Sequence, residues 1–121
     1  MINSESKKFV LIASPDQKVK DTFNDMIKKL SPEDSIFFAK DGSEAQIKYH
    51  NTPCHVVITE IQLEKTSGIK LVESLLTKEK AVDTAYIVIG VLPEEGHFVD
   101  EVVRGKVQFL NDASDAEKAS Q

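Results

Sequence analysis

Glu60 closes the run His55-Val-Val-Ile-Thr-Glu60, so a carboxylate stands at the carboxyl end of an apolar segment. Two further acids hold comparable places: Asp16 shortly after Phe9–Ala13, and Asp112 shortly after Val107–Leu110. If these segments are parallel strands of one sheet, the three acids converge on the crevice outside the strand ends, where open α/β sheets bind ligands. Hard oxygen donors gathered in this way can hold a divalent cation. That reading competes with a plainer one, in which Asp16 serves the start of a helix and Asp112 points outward.

The remaining reactive side chains are poorly spaced for chemistry. His50, His55 and His97 lack the spacing of metal ligands, and none has a nucleophile beside it. His50 and His97 read as surface residues, and His55, which opens a strand, reads as half-buried. Cys54 is the single cysteine, which excludes an internal disulfide. With no Cys/His cluster around it, it reads as a buried, inert thiol in a reducing cytoplasm. No G-x-G-x-x-G or Walker pattern follows any strand, so a nucleotide or flavin cofactor lacks support. No cofactor and no metal are expected.

The elements that must position these groups alternate. Strand-length apolar runs occur at Phe9–Ala13, Ser35–Ala39, His55–Thr59, Tyr86–Val91 and Val107–Leu110. Near-continuous Val/Ile/Leu/Phe runs are what a parallel sheet buried on both faces requires. Between them, Gln17–Leu30 carries Val19, Phe23, Met26, Ile27 and Leu30 as one stripe of 3.6-residue period. Gly68–Glu79 carries Ile69, Val72, Leu75 and Leu76 in the same way. Ser43–Tyr49 and Glu94–Val103 are shorter and weaker helical patterns. Ser14-Pro15-Asp16-Gln17 has the chemistry of a capping box, with Ser14 as N-cap and Gln17 at N3. Asp41-Gly42-Ser43-Glu44 combines a turn with a second cap. Strand–helix alternation predicts right-handed crossovers and a doubly wound sheet.

The chain has 121 residues, enough for one domain, with 40% hydrophobic and 29% charged residues. Its net charge of −5 makes nucleic acid a poor default partner, and no segment has the apolar length of a membrane span. Residues 1–6 read as a polar, disordered tail, and 7–121 as the domain. Ala113–Gln121 looks like the cap and first turns of a helix too short to be stable alone. The expectation is a final helix truncated or missing, either because the chain is cut from a longer protein or because something else covers that surface.

In order and spacing, the chain from about residue 7 onward resembles the bacterial response-regulator receiver domains (CheY-like). Lys8–Ala13 resembles their first strand, and Val57–Leu63 followed by Ser67-Gly68 resembles the acceptor strand and its turn. Thr84–Val91 resembles the fourth strand and Gly105–Asp112 the fifth. The resemblance implies a three-layer, flavodoxin-like α/β domain with a five-stranded parallel sheet in the order 2-1-3-4-5. It also implies a chemistry that this sequence does not carry. Receivers bind Mg²⁺ through an acid pair after the first strand and accept a phosphoryl group on an aspartate. The acid pair falls here on Ser14 and Pro15, and the acceptor on Glu60. The family's switch hydroxyl and lysine fall on Gly90 and Asp112. Only Phe109, at the switch-aromatic position, keeps its type.

A glutamate at the acceptor could act as a permanent phosphate mimic, but it would need the hydroxyl and the ammonium to respond to it. The plainer expectation is a partly solvated carboxylate held by backbone N–H groups or by a lysine such as Lys65. The resemblance therefore implies a non-enzymatic pseudo-receiver, a protein-interaction module of bacterial two-component signalling and the amino-terminal part of a longer protein. Its expected docking face, which would also serve a homodimer, comprises Phe98, Val99, Val102, Arg104, Lys106 and Gln108; the exposed side of the first helix, with Lys18, Asp21, Asp25 and Lys28, is a second candidate. The rival expectations are a switch using a rearranged carboxylate site of Asp16, Glu60 and Asp112, and a binder of small ligands in the vacated pocket.

Overall fold

The computed structural model describes residues 8–78, 83–90 and 105–110. Within them the chain runs β1 (Phe9–Ala13), α1 (Gln17–Leu30), β2 (Ser35–Ala39), α2 (Gly42–Asn51), β3 (Val56–Glu60), α3 (Gly68–Lys78), β4 (Ala85–Ile89) and β5 (Val107–Leu110). All four strand pairings are parallel, and the sheet order is β2-β1-β3-β4-β5. This is the doubly wound architecture implied by the alternation. The helical pattern at Glu94–Val103 and the polar end at Ala113–Gln121 lie outside the described residues, as does the tail at 1–6.

The two faces of the sheet explain the unbroken apolar runs. Leu11, Ala13, Val57, Tyr86, Val88 and Val107 face α2 and α3, where they pack on Ala45, Tyr49, Ile69, Leu71, Val72 and Leu75. Val10, Ile12, Ile58 and Ile89 face α1, packing on Phe23 with Val19, Met26 and Ile27 beside it. Successive strand residues point to opposite faces, so a strand buried on both is apolar almost throughout, and the buried Thr59 near the end of β3 donates its hydroxyl to the Glu60 carbonyl at 3.0 Å. At the amino end of the sheet the Thr84 hydroxyl donates to the Cys54 carbonyl at 2.7 Å and meets the Tyr49 hydroxyl at 2.6 Å, which satisfies the buried polar atoms there.

Two details of α1 differ from expectation. Leu30, assigned to the buried stripe, is 62% exposed. The 14-residue helix spans about 21 Å, whereas a five-residue strand spans about 16 Å, so its last turn overruns the sheet. The N-cap is Asp16 rather than Ser14: its carboxylate accepts from the Lys18 N–H at 2.9 Å, and the helix begins at Gln17. The Ser14 hydroxyl is engaged elsewhere. At α2 the expected cap stands at Asp41, which accepts from Glu44 N–H at 2.8 Å.

The loop from β3 to α3 is fixed at both ends. Gly68 N–H donates to the Ile61 carbonyl at 2.8 Å, and the Glu64 carbonyl accepts from both Gly42 and Thr66 N–H groups. The start of α2 thus holds the loop that follows Glu60. Lys65, at the tip of the loop, adopts φ 73°, a left-handed conformation unusual for a residue with a Cβ.

Candidate functional site

The carboxyl ends of β1 and β3 bring Ser14 and Glu60 together. Ser14 N–H donates to the Ala39 carbonyl at 2.9 Å, continuing the ladder between β1 and β2 and fixing the residue at the strand end. Its side chain is fully buried. From there the hydroxyl donates to Glu60 Oε2 and accepts from Asp16 N–H at 2.9 Å. One buried oxygen therefore ties the carboxylate at the end of β3 to the turn leading into α1. A hydroxyl has one proton to donate and lone pairs to receive with, and both capacities are used.

The partner of Glu60 is thus Ser14 rather than Lys65, and among the described residues Glu60 makes no ion pair. Lys65 lies close to Glu60 along the chain, but the partner used is 46 positions away and reaches Glu60 through strand adjacency. Pro15 is exposed and supplies no side-chain oxygen. Asp16 turns its carboxylate to the helix start. Asp112 lies outside the described residues. Among the described residues, no three His, Cys, Asp or Glu side chains gather as a metal site.

Gly90 follows β4, where its N–H donates to the Leu110 carbonyl at 2.8 Å. Its φ is +140°, and a Cβ there would lie 3.3 Å from Ile61 side-chain atoms. The position therefore differs from a hydroxyl-bearing one in its backbone as well as in its missing side chain. Phe109 is half-buried and packs against the α2/α3-side core. Of the expected docking face, Gln108 is exposed on β5. Lys106 is held in place: its ammonium meets Asp83 at 2.6 Å and the Thr84 carbonyl at 2.9 Å, with the Tyr86 ring 5.9 Å away. Phe98, Val99, Val102 and Arg104 lie outside the described residues.

Cys54 is fully buried, its Sγ 3.1 Å from the Thr52 carbonyl, and burial pushes the thiol up to about 11 from an ordinary value of 9.0. The folded state then holds a proton that the unfolded chain releases first, so stability falls as pH rises from about 9 towards 11. The expected contribution by pH 11 is on the order of 2 kcal/mol. Urea unfolding of the wild type and Cys54→Ala across pH 8 to roughly 11 checks this. The variant, whatever it loses at neutral pH, should show the shallower alkaline decline.

No family model matches the sequence, and no curated protein matches it. Solved structures do match. A CheY-like response-regulator receiver domain from Methylobacillus flagellatus is 19% identical over 88% of this chain and 86% of that one, with a TM-score of 0.70. The amino-terminal domain of a response-regulator receiver protein from Methanoculleus marisnigri is 17% identical over 95% and 93%, with a TM-score of 0.69. The response-regulator domain of CheB from Thermotoga maritima is 24% identical over 88% and 78%, with a TM-score of 0.65. The strand order, the parallel register and these similarities agree: the chain has the fold of the CheY-like response-regulator receiver domains.

Proposed function

We propose that this chain is a pseudo-receiver, a receiver-like module that works in signalling by binding proteins and not by accepting a phosphoryl group. The observation that carries the reading is the hydrogen bond from Ser14 to Glu60. In a phosphorylatable site the acids after the first strand leave their oxygens free for a cation, and the acceptor carboxylate has an oxygen free to attack the donor's phosphorus as its leaving group departs. Here the residue after β1 is a hydroxyl that spends its proton on Glu60, and its neighbour Pro15 offers no ligand. Glu60 also carries one more methylene than aspartate, and a displacement of about 1 Å can cost roughly 100-fold in a positioned reaction. At Gly90 there is no hydroxyl to follow a phosphate.

Partner binding then falls to the surface. The setting that fits is a bacterial cytoplasmic pathway, with the module serving its own output domain or a second signalling protein, and a homodimer through the β5 side as one form of that contact. Exposed Gln108 belongs to that side, and the sequence alone adds Phe98, Val99, Val102 and Arg104, which lie outside the described residues. Lys106 contributes by holding the start of β5 to Asp83 more than by reaching outward.

The test is intact-mass measurement after incubation with a small phosphodonor and Mg²⁺. The expected result is an unchanged mass. A gain of one phosphoryl group that disappears in Glu60→Gln would overturn the proposal and favour the rearranged-site switch.

A further inference from the structure

β2 is the edge of the sheet, and its free side is defined by the ladder. Ser35 N–H donates to the Lys8 carbonyl, and the Ala39 carbonyl accepts from Ser14 N–H. Odd-numbered residues of β2 therefore face β1. Ile36 and Phe38 turn their main-chain groups away from the sheet, and so does the Asp34 carbonyl, which is trans to the Ser35 N–H. Such a row is a template for another strand.

Side chains from both flanking helices close the ends of this row. Lys28, on α1, donates to the Asp34 carbonyl at 3.5 Å. Lys48, on α2, donates to the Phe38 carbonyl, and Glu44 accepts from Lys40 N–H at 2.8 Å. Only the Ile36 N–H and C=O and the Phe38 N–H remain between the two lysines. Ile36, Phe37 and Phe38 are all half-buried, so an apolar strip accompanies the open groups.

We infer that the β2 edge is a strand-pairing surface for a second copy of this chain, held closed by Lys28 and Lys48. The argument for a second copy is self-complementarity. An antiparallel pair centred on Phe37 sets Ile36 opposite Phe38 of the other copy, and both have outward main-chain groups to exchange. The same register sets Asp34 opposite Lys40, a pairing of opposite charges at each end. Two copies joined in this way form one continuous ten-stranded sheet with a twofold axis at Phe37. The lysines oppose it because strands pair about 4.8 Å apart, leaving their ammonium groups neither room nor water at the Asp34 and Phe38 carbonyls.

Sedimentation velocity over a concentration series tests this on the wild type, on Lys28→Met/Lys48→Met and on the same pair with Ile36→Pro. Methionine keeps the length of the stem and removes the charge. Proline at 36 removes an outward N–H and no ladder bond, the one place a strand tolerates it. The charge-free pair should self-associate at least tenfold more tightly than the wild type, and Ile36→Pro should return it to the wild-type level. Lys28→Gln/Lys48→Gln and Ile36→Lys repeat the two steps if either first choice fails to fold, as read by circular dichroism. Self-association no tighter than wild type in the charge-free variants overturns the inference. So does a gain that survives both substitutions at Ile36.

Discussion

Gly68→Ala is expected to destabilise the protein by about 3 kcal/mol, the upper part of the range for overpacking. A Cβ at this position would lie 2.1 Å from the Glu60 carbonyl oxygen, 2.9 Å from its carbon and 3.0 Å from the Ile61 Cα. Every one of these atoms is main chain, so no flexible side chain can move aside. The same glycine donates its N–H to Ile61, which ties the first turn of α3 to the end of β3. An alanine must lift the helix off the strand, loosening Ile69, Leu71, Val72 and Leu75 from the core they share with Val57. Urea unfolding should show a lower midpoint with an unchanged slope, since the loss is one of stability and not of compactness. Gly105→Ala is the control. That glycine has φ +78° but nothing within 4 Å of a Cβ, so only the left-handed penalty of about 1 to 2 kcal/mol applies. If Gly68→Ala loses no more than Gly105→Ala, the close approach of α3 to Glu60 does not hold the site together.

What could be read in the sequence, and what could not, divides by range along the chain. The strands were legible because burial on both faces leaves runs such as Phe9–Ala13 without a polar residue. The helix at Gln17–Leu30 was legible because its stripe repeats at 3.6 residues. Both signals are local. The cap of α1 was misread because Ser14-Pro15-Asp16-Gln17 satisfies a local rule that a distant partner overrides: Glu60 recruits the Ser14 hydroxyl, and Asp16 takes over the helix end. The partner of Glu60 was missed for the same reason. Gly90 shows a second limit. Its lack of a hydroxyl was visible in the letter, but its φ of +140° belongs to the backbone and has no letter. Lys106 shows a third: a lysine just before an edge strand reads as solvent-facing until the ion pair with Asp83 is seen. Lys28 reads in the sequence only as part of the exposed side of α1, and nothing in the sequence marks either Lys28 or Lys48 as a cap on the β2 edge, since what they cap is a main-chain carbonyl.

Ser14→Asp should cost about 3 kcal/mol or more at neutral pH, in the range for an uncompensated buried charge. This is the substitution that would move the site towards a metal-binding acid, and the structure around it is built for a proton donor. The hydroxyl donates to Glu60, whereas a carboxylate has nothing to donate and places a second negative charge against the first. Two unit charges 4 Å apart repel by about 4 kcal/mol at an effective dielectric constant of 20, and relaxation into solvent at the half-exposed Glu60 relieves part of it. Ser14→Ala, which removes the hydrogen bonds without adding charge, should lose about 2 kcal/mol, the larger value for a bond to a charged group. The two variants also separate by pH. With like charges in contact, one carboxyl of the Ser14→Asp protein keeps its proton above the usual carboxylate range when folded. The folded state then binds more protons than the unfolded one, so the deficit grows as pH rises through that window and shrinks towards pH ~4. Ser14→Ala adds no charge, so its deficit stays level across that window. Adding Glu60→Gln to Ser14→Asp should recover much of the loss, because the amide can donate to the introduced carboxylate. Thermal unfolding of the three variants at several pH values, with and without Mg²⁺, reads all of these outcomes. With Pro15 and Asp16 unable to complete a coordination shell, magnesium should restore little of the Ser14→Asp midpoint. Restoration to the wild-type value would mean that the end of β1 still holds a cation geometry and that Ser14 alone keeps it closed.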